Sequence, residues 1–211
     1  MTADFSIEKK YWESGTKVVA GADEVGRGSF AGPVVAAVVV LPRTIPLVKI
    51  DDSKKLSPRE RNEAYQWIQE NALFWSVAES SSTLINKIGI NIATQSAFRR
   101  AIETIARDIE ILLVDGFKIP NVANIPPNRQ EGIIRGDQKS LNIAAASIVA
   151  KVHRDALMVR LHEQHSVYGW KNNKGYGTKV HTDAIKTHGI TPYHRTQFVE
   201  TYLSNNSNKK I

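Results

Sequence analysis

Four acidic side chains fall where an apolar stretch gives way to a turn. Asp23 and Glu24 end one such stretch and precede Gly26-Arg27-Gly28. Asp115 closes Ile111-Leu112-Leu113-Val114, and Asp137 follows Gly132-Ile133-Ile134-Arg135, 22 residues further on. Carboxylates crowded into one cleft raise one another's pKa and are costly when buried alone. Divalent cations resolve that conflict, and an all-oxygen set without His or Cys suits Mg²⁺ or Mn²⁺ rather than zinc. Two such ions about 3.5–4 Å apart are the usual apparatus for in-line attack on a phosphodiester, one making hydroxide from water and the other stabilising the leaving oxygen. Taken singly, Asp115 and Asp137 are ordinary turn residues and Glu24 an ordinary surface charge. The metal reading therefore requires the strand ends to lie side by side, at the edge where an α/β sheet binds its ligands. Strand alternation sends Asp23 and Glu24 to opposite faces, so both reach one cleft only if the strand ends or twists there.

Gly26-Arg27-Gly28 lets backbone amides and carbonyls come close to a ligand, and Arg27 suits a phosphate; a plain turn is the simpler reading of the tripeptide alone. Lys171, Lys174 and Lys179 flank Tyr176, a basic loop with an aromatic that fits backbone binding plus a sugar contact. Asp155, far along a helix from Asp137, reads as structural, with Lys151 and Arg154 as neighbours lining the site or pairing with it. The histidines show no metal-ligand spacing, and His181 reads as a satisfied surface residue.

The elements that must position these groups follow from the pattern. Residues 1–16 suggest a loose helix or arm. Strands are expected at 18–23, 34–41, 74–78, 111–114 and 132–135; the second, bounded by prolines, is apolar throughout and so buried on both faces. Ser57-Pro58-Arg59-Glu60 forms a helix start, with a cap, a first-turn proline and a capping box, and predicts a helix to about residue 71. Residues 80–82 open a short helical turn, and 91–106 are amphipathic. Residues 119–130 read as an ordered loop. A long helix over 141–165 starts apolar nearly all round and is therefore central. Residues 168–177 read as a loop, followed by helices at 179–188 and 195–203. There is no internal repeat.

Composition bounds the rest. The 211 residues contain no cysteine, which excludes disulfides, cysteine-ligated zinc, iron–sulfur clusters and thiol nucleophiles. The start lacks the basic-then-apolar pattern of a signal peptide, and the longest apolar stretch is about half of a membrane span. A cytoplasmic protein without membrane association, acting as a monomer, is expected. The net charge is +7, of which residues 151–211 supply +6, from ten Lys/Arg against four Asp/Glu. A near-neutral body with a basic C-terminal segment suggests a polyanionic partner.

The blocks GADEVGRGSFAGPVVAAVVV, DSKKLS, LLVDGF, RGDQKSLNIAAASIVAKVHRD and KGYGT, in order from about residue 18 to 198, resemble bacterial ribonuclease HII. The resemblance implies an α/β ribonuclease H-like fold, with a mixed central sheet flanked by helices and a small helical C-terminal subdomain. The corresponding division is a catalytic core at 1–165, a helical subdomain with a substrate-binding loop at 166–203, and a disordered tail at 204–211. It implies hydrolysis of RNA in RNA–DNA hybrids and at single ribonucleotides embedded in duplex DNA. The cut falls 5′ of the ribonucleotide and leaves 3′-hydroxyl and 5′-phosphate ends, in the service of ribonucleotide removal during replication and repair. Asp23, Glu24, Asp115 and Asp137 take the family's catalytic and metal-binding positions, for two ions of Mg²⁺ or Mn²⁺. Gly26, Arg27 and Gly28 take the positions that sense the ribose 2′-hydroxyl, Tyr176 stacks on the neighbouring sugar, and Lys54 and Lys55 contact phosphate. The related type HIII carries an extra N-terminal domain and usually a glutamate at the third acidic position; here about 17 residues precede the first strand and position 115 is Asp, which favours type HII. A nucleic-acid-binding module with a vestigial acidic cluster, and a nuclease restricted to long hybrids, are the competing readings.

Overall fold

The structure, a computed structural model, describes residues 2–45, 50–105 and 108–207. Its centre is a five-stranded mixed sheet in the order β3-β2-β1-β4-β5, formed by β1 (Val19–Val25), β2 (Val34–Val40), β3 (Phe74–Ser80), β4 (Ile111–Asp115) and β5 (Gln130–Ile133). β1, β2 and β3 form an antiparallel meander, while β1, β4 and β5 run parallel. β2 is buried at every position, as its unbroken apolar run requires.

One face of the sheet is covered by α5 (Leu141–Gln164), with α2 (Pro58–Asn71) outside it, and the other by α4 (Ile90–Glu103). The capping box at Ser57 forms: the Ser57 hydroxyl accepts from the Glu60 amide and the Glu60 carboxylate accepts from the Ser57 amide. The first turns of α5 are buried all round because they run directly over β1. Gly21 makes that contact possible, since a side chain there would overlap the backbone of Asn142 and Ile143. Asn142 stitches the layers together, accepting from the Leu41 amide at 2.8 Å and donating to the Val19 carbonyl at 3.0 Å. Gly21→Ala is therefore expected to cost about 3 kcal/mol through overpacking, seen as a melting temperature lower by roughly 6–12 °C.

The N-terminal segment is anchored rather than loose. In α1 (Ser6–Glu13), Glu8 is fully buried and accepts from the Ser140 hydroxyl at 2.6 Å and the Asn142 amide at 3.0 Å, at the start of α5. Burial raises the Glu8 pKa, and the hydrogen bonds from Ser140 and the Asn142 amide at the helix start oppose that rise.

The short helices α3 (Ser82–Ile88), α6 (Trp170–Asn173), α7 (Lys179–His188) and α8 (Thr196–Ser207) complete the fold. Ala31, Met158, Tyr168, Trp170, Ala184, Ile185 and Val199 form an apolar cluster between α5 and the C-terminal helices. Three local readings need correction. Residues 168–177 are not all loop, because α6 forms there between Gly169 and Lys174, both with left-handed backbone. α8 runs to Ser207, so 204–207 are helical rather than disordered, and 208–211 lie outside the described residues. β5 spans Gln130–Ile133, two residues earlier than expected; Arg135 adopts φ 56°, and Asp137 sits on a short 3₁₀ turn, Gly136–Gln138.

Candidate active site

The acidic groups meet because the parallel strands end together. Ala22 of β1 pairs with Val114 of β4, and Asp115 of β4 pairs with Ile133 of β5. Asp23 and Asp115 thus stand one step past the last β1–β4 pair, and the Gly136–Gln138 turn brings Asp137 back beside them, with Asp115 Oδ1 accepting from the Gly136 amide at 2.7 Å. Asp23 and Asp137 are buried, and Glu24 and Asp115 are partly so. β1 continues to Val25, so Asp23 and Glu24 do leave it on opposite faces. They still act on one another because they lie at the end of the sheet.

The electrostatics link the acids in a chain. Burial, then Glu24, then Asp115 push the Asp23 carboxyl well above its usual range, against hydrogen bonds from Ser147 and the Glu24 amide. Burial raises Glu24 as well, and Arg27 opposes it. Burial raises Asp115, with Asp137 adding to the effect and the Gly136 amide opposing it. The two basic candidates next to the acids differ. Lys54 reaches Asp137 at 3.3 Å, whereas Lys55 turns to Asp51 at 3.1 Å.

The sequence reading missed the residues behind this arrangement. Asp52 is buried, accepts from the Lys54 amide at 3.0 Å and from Gln138 Nε2 at 3.2 Å, and lies 3.9 Å from the Lys54 ammonium. The Ser53 and Ser147 hydroxyls are 3.0 Å apart and tie this loop to α5 beneath Asp23. Their only sequence signal was membership of the DSKKLS and AAASIVAK blocks.

The Gly26-Arg27-Gly28 turn is held from below. Gly26 has φ +90°, and a Cβ there would strike the Arg154 guanidinium. A Cβ on Gly28 would meet nothing within 4 Å, which leaves the backbone open to a ligand. Arg27 bonds Glu24 at 3.2 Å and Asn91 at 2.8 Å. Arg154 lies 5.5 Å from the Tyr176 ring, so one fully buried guanidinium spans the glycine turn and the tyrosine loop, which are about 150 residues apart in sequence. Asp155 pairs with Lys151 at 2.8 Å. His181 is a correction: it is fully buried, against His194.

The donors fit hard divalent cations. They are all carboxylates, burial makes Asp23, Glu24 and Asp115 resist ionisation, and among the described residues Glu24 Oε2 is buried with no hydrogen-bond partner. Among the described residues no three acidic or histidine side chains stand closed into a metal cage. Arg27 and Lys54 supply the positive charge at Glu24 and Asp137.

Ribonuclease HII is the family matched, over residues 20–201. A ribonuclease HII of Caldicellulosiruptor bescii is 42% identical over 200 residues, covering 95% of each chain. One of Lactobacillus gasseri is 46% identical over 194 residues, covering 92% of this chain and 75% of the other. The solved structure of a PCNA:RNase HII complex from Archaeoglobus fulgidus superposes with a TM-score of 0.69 at 27% identity, over 86% of this chain and 95% of that one. A mixed sheet with this topology and an acidic edge defines a nuclease of the ribonuclease H class. Within that class the chain belongs to the ribonuclease HII family, and is a type HII ribonuclease H, a hydrolase that cuts nucleic acid endonucleolytically.

Proposed function

We propose that this enzyme hydrolyses RNA within RNA–DNA hybrids and at single ribonucleotides in duplex DNA, cutting 5′ of the ribonucleotide and leaving 3′-hydroxyl and 5′-phosphate ends. The observation that carries the reading is the convergence of Asp23, Glu24, Asp115 and Asp137 at the shared end of β1, β4 and β5. These four side chains would hold two ions of Mg²⁺ or Mn²⁺. When bound, the ions supply an acidified water for attack and charge stabilisation at the leaving oxygen. Lys54 keeps Asp137 oriented and, with Lys55, offers charge to the phosphodiester backbone.

Selectivity for RNA falls to Gly26, Arg27, Gly28 and Tyr176. A 2′-hydroxyl both donates and accepts, so backbone amides and carbonyls in the glycine turn can recognise it. The Tyr176 ring on the adjacent sugar disfavours a second hydroxyl there. The enzyme works as a monomer, in the cytoplasm where bacterial DNA is, and serves the removal of ribonucleotides from replicated DNA. No helix among the described residues is long and apolar enough to cross a membrane.

The test is a DNA duplex carrying one ribonucleotide, incubated with the protein in Mg²⁺ or Mn²⁺. We expect a single cut, 5′ of the ribonucleotide, and none after chelation. Cleavage only of substrates with four or more ribonucleotides would restrict the enzyme to hybrids, and binding without cleavage would overturn the catalytic reading.

A further inference from the structure

Behind the Tyr176 loop lies a buried polar network for which the carboxylate chemistry gives no reason. Three consecutive carbonyls of the loop are captured. Lys174 O accepts from Arg154 Nη1 at 2.9 Å, Gly175 O from the Phe30 and Ala31 amides at 2.8 and 3.1 Å, and Tyr176 O faces His181 Nδ1 at 2.9 Å. The second ties the loop directly to the segment that follows the glycine turn, and the first reaches that segment through Arg154, which also donates to Ser29 Oγ and Ala31 O. The third leads inward: His181 Nε2 is 3.0 Å from Trp170 Nε1 and 3.1 Å from His194 Nε2.

The direction of every bond in this chain is fixed. The indole N–H can only donate, so His181 Nε2 is an acceptor and its proton sits on Nδ1, donated to Tyr176 O. The Thr191 amide donates to His194 Nδ1 at 2.9 Å, so the His194 proton is on Nε2 and is donated to His181. Both rings must be neutral for this to hold. Burial lowers His181, and burial together with His181 brings His194 down to about 4. His181 Nε2 shares its one lone pair between the Trp170 and His194 donors, and a buried network so constrained specifies one geometry.

We infer that His181, oriented by His194 and Trp170, is a positioning residue that fixes the Tyr176 backbone against the Gly26-Arg27-Gly28 turn, and that this register sets the preference for a single ribonucleotide over a continuous hybrid. The second part rests on the function proposed above; the first part does not.

Two near-isosteric substitutions separate positioning from mere folding. His181→Asn retains a donor where Nδ1 stands and loses the acceptor for Trp170 and His194. His181→Gln keeps an acceptor near Nε2 and loses the donor to Tyr176. Amide hydrogen exchange over residues 174–178 reads the loop directly, and the ratio of kcat/KM on a single-ribonucleotide duplex to that on a long hybrid reads selectivity. We expect faster exchange and a ratio about tenfold lower in His181→Gln, the effect of one lost hydrogen bond, and a smaller change in both properties in His181→Asn, which keeps the donor to Tyr176 but loses the partners that orient it. Unchanged exchange in His181→Gln, or equal effects of both substitutions, would overturn the inference. Nitrogen-15 NMR of the wild-type histidines needs no variant: an Nε2–H tautomer at His181 would overturn it too. If the wild-type protein fails to cut the single-ribonucleotide duplex, the proposed function falls, and exchange still judges the positioning role.

Discussion

Asp23→Asn is expected to abolish cleavage, by at least about 10²–10³-fold, while the chelated protein melts several degrees higher than wild type. The two outcomes share one cause. Asp23 is buried next to Glu24 and Asp115 with its carboxyl held well above the usual range, so at neutral pH its ionised form opposes folding in the absence of metal. An asparagine keeps the acceptor used by the Glu24 amide, 2.7 Å from Oδ1, and turns a donor toward the neighbouring acids. Relief of a buried, like-charged group is worth about 1–3 kcal/mol, or roughly 2–12 °C at this chain length. The sign of the pH dependence follows. The folded-state pKa is raised, so as pH falls the folded wild type takes up its proton before the unfolded chain does and gains stability relative to it. The advantage of the variant should therefore shrink from neutral pH toward about 4, where the unfolded carboxyl also protonates. Calorimetry in chelator at several pH values, beside a cleavage assay, measures both. A variant that melts below wild type at neutral pH would refute the stability argument, and one that still cleaves at a near-normal rate would refute the assignment of Asp23.

The same crowding explains why the acidic edge could be read from the sequence. Acids placed directly after apolar stretches have a stereotyped position in an α/β sheet, so Asp23, Asp115 and the approximate place of Asp137 stood out as candidates, but their grouping depended on strand adjacency that local pattern does not show. Helices with strong punctuation were equally legible: Ser57-Pro58-Arg59-Glu60 opens α2, and Gly189 closes α7. The end of β5 was misplaced because Ile134 looks like a strand residue but points to solvent, 73% exposed, where Arg135 turns the chain. His181 was misread because one buried histidine in a polar helix has no periodicity to betray it. Its burial is set by Trp170 and His194, which precede and follow its helix. Asp52 was overlooked beside the more conspicuous lysines, although it accepts from the Lys54 backbone amide and lies 3.9 Å from its ammonium. What escaped the sequence is the support of the site, since support depends on contacts between distant segments.

Arg154→Met should be the most destabilising substitution near the site. Arg154 is fully buried, and its partners are neutral carbonyl and hydroxyl oxygens rather than carboxylates: Pro33 O at 2.9 Å, Lys174 O at 2.9 Å, Ser29 Oγ at 2.9 Å and Ala31 O at 3.1 Å. Burial lowers its pKa, so removing the cation is in itself favourable. Methionine matches the stem and abolishes every donor, leaving those acceptors stranded where water does not reach. Each stranded group costs about 1–3 kcal/mol, which outweighs the relief and gives a net loss of about 3–5 kcal/mol, the range for disrupting a buried charged network. The melting temperature should fall by roughly 6–20 °C. Arg154→Lys keeps the charge but places a single ammonium in a site built for a planar fork, and should recover only part of the loss. Cleavage by the folded fraction, measured well below its melting temperature, should fall as well, because the glycine turn at Gly26 and the loop at Lys174 lose the group that spans them. Denaturant unfolding in which the methionine variant lies within about 1 kcal/mol of wild type would mean that those carbonyls find other donors, and that the turn and the tyrosine loop hold their places independently of Arg154.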